Sequence, residues 1–102
     1  MARAHAPPVK VSAEAIKGWL ATRKGWKRRG NKLTKDFQFD HFRDSIVFVN
    51  RIASIADHFN HHPDIDVRYS KVTVTLTTHD QGGITDRDLD VAEQIDFATS
   101  AE

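Results

Sequence analysis

The stretch from residue 41 to residue 59 constrains the fold of this chain more than any other. Phe42, Ile46, Val49, Ile52, Ala53, Ala56 and Phe59 recur at three- and four-residue spacing. On a helix of 3.6 residues per turn they form one apolar stripe, widened by Phe48 and Ile55. Asp40 stands where a side-chain N-cap belongs. Such a helix must lay its stripe on another layer, so the rest of the chain has to supply a partner. The helix must also stop before Pro63, because a proline ring disfavours the α conformation at the residue before it, His62. The pair His61-His62 therefore lies at a helix-to-strand junction, where side chains can face a cleft.

The partner layer reads from the flanking segments. Ser12 caps a first helix over about 13–22, with Ala15, Ile16, Trp19 and Leu20 on one face and Gly25 as the stop. Trp26-Lys27-Arg28 and residues 33–39 read as two strands joined by the turn Arg29-Gly30-Asn31. In the second strand Leu33, Lys35, Phe37 and Phe39 share a face; Lys35 interrupts the alternation and suggests an edge or a frayed end. After Pro63, Ile65, Val67 and Tyr69 alternate in one strand and Val72, Val74 and Leu76 in the next, with Ser70-Lys71 as the tight connection. Gln81-Gly82-Gly83 breaks the chain. Thr85 and Asp88 then make a capping box for a last helix over about 86–98. The order α-β-β-α-β-β-α predicts an α+β two-layer sandwich: a four-stranded antiparallel sheet with three helices on one face. Residues 1–10 read as a flexible arm and 11–102 as one domain.

Composition narrows the function. A net charge of +1 does not call for a polyanionic partner, so nucleic acid is not expected, and the basic run from Arg23 to Lys32 reads as a solvated hairpin. The chain has no cysteine, which excludes disulfides and thiolate zinc sites and fits a cytoplasmic location. No apolar run approaches the ~20 residues that span a bilayer, so no membrane association is expected. What remains is chemistry carried by histidine. His61, His62 and, after a gap, His79 are candidates for proton transfer, since imidazole alone titrates near neutral pH unperturbed. His58 precedes His62 by four residues, a zinc-like spacing, but Pro63 interrupts the helix that would use it. No metal is expected. Two plainer roles compete: histidines at a helix end can bond its last carbonyls and favour its dipole, and Asp88 can serve only as a cap. Tyr69, Trp26 and Trp19 read as packing residues, and His5, His41 and His58 as solvated.

The pattern Asp57, His61-His62-Pro63, Tyr69, Thr78-His79 and Asp88 resembles the pterin-4a-carbinolamine dehydratases. Gly25-Trp26, Phe37-Gln38-Phe39, Val49-Asn50-Arg51 and Gly82-Gly83-Ile84-Thr85 match that family too, so the likeness runs from about Trp19 to the C-terminus. The resemblance implies the same α+β fold. It implies dehydration of a 4a-hydroxytetrahydropterin to quinonoid dihydropterin, in the recycling of tetrahydrobiopterin for aromatic amino acid hydroxylases. It further implies His61 and His79 as acid and base with His62 holding the ring, and no cofactor, the pterin being substrate. His61, His62, His79 and Asp88 are the catalytic candidates. Asn60, His61, His62, Thr77, Thr78, His79 and Asp80 are the candidates for binding the pterin edge. Homodimers or homotetramers are implied as well. Some relatives are dimerisation cofactors of a homeodomain transcription factor and others are linked to molybdopterin-related pathways, so a non-catalytic dimerisation or regulatory module is the alternative. The chain departs from some members at Asn60, where they carry Asp, and at Ile65, where they carry an aromatic.

Overall fold

A computed structural model describes residues 7–100 of the chain. Its elements are α1 (Ala13–Ala21), β1 (Lys27–Arg29), β2 (Lys32–Gln38), α2 (Phe42–Phe59), β3 (Asp64–Arg68), β4 (Lys71–Leu76) and α3 (Asp86–Ser100), with a short 3₁₀ turn at His79–Gln81. The strands form one antiparallel sheet in the order β1-β2-β4-β3. The expected α+β sandwich is the architecture observed.

The register explains which sheet face is buried. Leu33 pairs with Leu76, Lys35 with Val74 and Phe37 with Val72, while Ile65 and Val67 lie across from Val74 and Val72. Paired residues share a face, so these side chains form the helix-facing surface. Leu33, Phe37, Val72, Val74 and Leu76 join Ile16 of α1, Phe48 and Ile52 of α2 and Val91 and Ile95 of α3 in one core. The other face carries Thr34, Asp36, Thr73 and Thr75, tied by Thr34–Thr75 and Thr73–Asp36 hydrogen bonds.

Several local expectations are corrected. The buried line of α2 runs through Ser45, Phe48, Ile52 and Ala56, not through Phe42, Ile46 and Ala53, which are exposed. Phe48 takes the centre because it stacks against both Phe37 (ring centroids 4.7 Å) and Phe39 (5.1 Å). The N-cap of α2 is His41, not Asp40, and its side chain makes no capping bond. The turn between β3 and β4 is Tyr69-Ser70, one residue earlier than expected; Tyr69 adopts a positive φ of 55° and stands 70% exposed rather than packed. Val9 and Lys10 are tied to the start of α3. Val9 exchanges bonds with Asp86, and Lys10 bridges Thr85. Residues 1–6 of the expected arm, His5 among them, lie outside the described residues.

Lys35 is not at an edge. It sits on an interior strand, on the core face, and its ammonium donates to Asp96 Oδ1 at 2.8 Å. The indole N–H of Trp26 donates to the other oxygen of Asp96 at 2.9 Å, and the Lys35 ammonium lies over the Trp26 and Phe37 rings. A cation is tolerated here because charge pairing and ring faces replace its water. Gly25, at φ +90°, makes room for it: a Cβ there would lie 2.8 Å from Lys35 Cε. Asp96→Ala leaves two donors without an acceptor and is expected to cost about 1–3 kcal/mol. A lowered urea midpoint at unchanged slope checks this; an unmoved midpoint would contradict it.

Candidate active site

The site is built where α2 ends, β4 ends and α3 begins. The backbone stops α2 by its own chemistry, with Pro63 only a later barrier. Asn60 takes the left-handed conformation (φ 53°), its N–H bonds Asp57 O at 3.2 Å, and the N–H of His61 bonds Ala56 O at 3.0 Å. These are the two bonds of a Schellman motif. Asparagine is among the few non-glycine residues that visit this region readily, so Asn60 turns the chain and points His61 inward. The position read as a departure from some relatives thus has a backbone role. Asn60→Gly should leave stability nearly unchanged, whereas Asn60→Val should cost roughly 1–2 kcal/mol. Thermal unfolding of the two variants separates these outcomes; equal midpoints would contradict the motif's importance.

His61 then reaches across to α3. Its Nε2 lies 2.5 Å from Asp88 Oδ1; the imidazole is 12% exposed and the carboxylate wholly buried. A buried carboxylate is tolerated only if its lone pairs are satisfied. Asp88 Oδ2 accepts the Thr85 backbone N–H at 2.9 Å and the Thr78 hydroxyl at 2.8 Å, and the Thr85 hydroxyl lies 2.8 Å from that of Thr78. The Thr85 N–H bond is the capping-box bond expected from the sequence, so Asp88 caps α3 and orients His61 at once. Neither function displaces the other, because each uses a different oxygen.

Thr78 connects this carboxylate to the third histidine. It is buried, and its N–H and C=O pair with Gly83 at 2.9 and 3.2 Å. That pair closes a small loop over residues 79–82, completed by Gln81 N–H on Thr78 O and Gly82 N–H on His79 O. His79 begins the 3₁₀ turn and is exposed, as is Asp80 beside it. His62 is 60% exposed by side chain and holds the Asp57 carboxylate at 3.0 Å. Thr77 directs its hydroxyl to Asn31 O at 2.7 Å, and Asn60 is exposed at the helix end.

The structure therefore joins His61, Thr78, Thr85 and Asp88 by hydrogen bonds, places His79 directly after Thr78, and leaves His62 on a separate contact to Asp57. Thr85's hydroxyl was not foreseen as part of the site; the capping-box spacing placed Thr85 beside Asp88, which was the available signal. Among the described residues no group of three or more His, Asp or Glu side chains is placed to hold a metal ion. A histidine braced by a buried carboxylate, with one ring nitrogen left over, is suited to moving a proton.

A family model for pterin 4 alpha carbinolamine dehydratase matches residues 9–98. The chain belongs to this family. A protein of Sulfurisphaera tokodaii, provisionally named a pterin-4-alpha-carbinolamine dehydratase, is 46% identical over 87 residues, which cover 85% of this chain and 94% of that one. A Mycobacteroides abscessus protein of the same provisional name is 49% identical over 86 residues, covering 84% and 92%. Among solved structures, a transcriptional coactivator/pterin dehydratase from Brucella melitensis superposes with a TM-score of 0.83 at 26% identity, over 87% of this chain and 97% of that one. A pterin dehydratase-like protein described as a RuBisCO assembly factor in the alpha-carboxysome shares the fold at a TM-score of 0.62 and 22% identity, over 72% and 88%.

Proposed function

We propose that the chain is a 4a-hydroxytetrahydropterin dehydratase working by histidine general acid–base catalysis. The observation that carries this reading is the His61–Asp88 pair, braced by Thr78 and followed directly by His79, in a chain of the dehydratase family. The substrate has a hydroxyl on a ring carbon next to a ring N–H. A base removes the N–H proton, the nitrogen electrons form the C=N bond, and the C–O bond breaks as an acid protonates the departing hydroxyl. The products are quinonoid dihydropterin and water, and the two protein groups end with their protonation states exchanged.

The step needs two proton-exchanging groups of suitable pKa and no nucleophile. Proton transfer by a positioned side chain contributes typically ~10²–10⁴ in rate. His61 and His79 are assigned these two roles, and exposed His62, steadied by Asp57, binds the pterin together with Asn60, Thr77, Thr78 and Asp80. Thr78 contributes to that binding by position alone, since its hydroxyl is engaged with Asp88 and its backbone N–H and C=O with Gly83. Returning tetrahydropterin oxidised by an aromatic amino acid hydroxylase is the metabolic role this reaction fits. Quinonoid dihydropterin formation from freshly generated 4a-hydroxytetrahydropterin tests the assignment: His61→Ala and His79→Ala should each be slower than the native chain. Equal rates in all three would overturn it.

A second reading, a dimerisation or regulatory module on the same fold, draws on a different surface. Phe42, Ile46 and Val47 of α2 are 50%, 39% and 43% exposed, more apolar area on one helix than solvent contact favours. Homodimers or homotetramers that cover it are compatible with catalysis. Light scattering gives the oligomeric state; a folded chain with no turnover would favour the module reading alone.

A further inference from the structure

The direction of the hydrogen bonds around Asp88 says which nitrogen of His61 is free. The Thr85 backbone N–H can only donate, and it donates to Asp88 Oδ2. The Thr78 hydroxyl, with one proton, also donates to Oδ2. It then has only lone pairs to offer the Thr85 hydroxyl 2.8 Å away, whose own proton has Thr78 Oγ1 and, at 3.4 Å, Asp88 Oδ2 as acceptors. The two hydroxyls and the Thr85 N–H thus form one network of donors that ends on Asp88 Oδ2. Oδ2 is filled with donors, and Oδ1 is left as an acceptor facing His61 Nε2 at 2.5 Å.

We propose that Thr78 and Thr85 are positioning residues: they lock the Asp88 carboxylate as an acceptor and thereby commit His61 to the tautomer with Nε2 protonated and Nδ1 bare. An ionised carboxylate has no proton to give, so the neutral imidazole must donate through Nε2 to make this bond. Nδ1 is then the atom that takes a proton from the pterin N–H; this last step rests on the dehydratase reading, and the tautomer itself does not. The two oxygens of an ionised carboxylate are equivalent, so what the donors fix is its plane. With the Thr78 hydroxyl, just after β4, and the Thr85 N–H, at the start of α3, both on Oδ2, the other oxygen is held facing Nε2, and the Thr85 hydroxyl in turn aims that of Thr78.

Imidazole nitrogen correlation spectra of the ¹⁵N-labelled chain, recorded without substrate at a pH where His61 is neutral, test the lock directly. In the native chain His61 should show a protonated Nε2 and an unprotonated Nδ1. In Thr78→Val and Thr85→Val the signals should shift towards a mixture of tautomers, and Thr85→Ser should restore the native pattern. Turnover should follow, with kcat lower by about ten- to hundredfold in the valine variants and KM within about twofold, as loss of an outer orienting contact does elsewhere. Should Thr85→Val fail to fold through loss of its buried hydroxyl, Thr78→Val, on the other side of the pair, carries the test. A native His61 protonated at Nδ1, or folded valine variants with an unchanged tautomer, would overturn the proposal. A native chain with the expected tautomer but no turnover would uphold the lock and reject the dehydratase reading.

Discussion

Replacing His61 by alanine is expected to lower kcat for carbinolamine dehydration by about 10²–10⁴, with a much smaller change in KM. The imidazole is 12% exposed, so it offers little binding surface to a ligand. Its value lies in the proton it moves, an interaction realised in the transition state rather than in the bound ground state. The same substitution strands Asp88 Oδ1 without its partner inside the protein, which should also lower stability by about 1–3 kcal/mol. A steady-state comparison on protein confirmed as folded separates the two effects. A large rise in KM with kcat unchanged would instead make His61 a binding residue.

Asp88 should show the second large effect, and two substitutions divide its roles. Asp88→Ala removes the acceptor for the Thr85 N–H, the Thr78 hydroxyl and His61 together. With several buried groups left unpaired and the α3 cap lost, a cost of about 3–5 kcal/mol is expected. That is a large part of the ~5–15 kcal/mol available to a domain of this size. Asp88→Asn keeps the shape and one carbonyl oxygen. If that oxygen stays with the threonines, an amide N–H₂ group faces His61 and favours the opposite tautomer. Activity should then fall by up to about 10⁴, the effect of the same change in a histidine–carboxylate pair, with less loss of stability. Denaturation midpoints and kcat measured on both variants check this. An active Asp88→Asn would reduce Asp88 to a helix cap.

Much of this arrangement was legible in the sequence, and the exceptions share a physical cause. Periodicity and turn chemistry are local, and they located every helix and strand to within a few residues. Long-range packing is not local. Nothing near Lys35 announces Asp96, 61 residues away, so a lysine on the core face read as a frayed edge. The buried line of α2 was displaced for the same reason. Phe48 follows the rings of Phe37 and Phe39, and Ser45 is carried inside with it. Tyr69 continued an alternating pattern in the sequence, yet the two-residue hairpin between Arg68 and Lys71 requires it in the turn.

The candidate site divides along the same line. The His-His-Pro and Thr-His motifs were visible, and the spacing of Thr85 and Asp88 gave one of the two bonds of a capping box, from the Thr85 N–H to Asp88; the Thr85 hydroxyl turns to Thr78 instead. The bond from Asp88 to His61 spans 27 residues and is visible only in three dimensions. Asn60 is the reverse case. In the sequence it is only a difference from some relatives, while its left-handed backbone and its part in ending α2 are visible in the fold alone.

The most direct test of the account follows the fate of freshly generated 4a-hydroxytetrahydropterin by stopped flow, with increasing amounts of the native chain. Quinonoid dihydropterin should form faster than in buffer, in proportion to the protein added, and the acceleration should vanish in a folded His61→Ala/His79→Ala double variant. A rate equal to that in buffer at every concentration of native protein would contradict it.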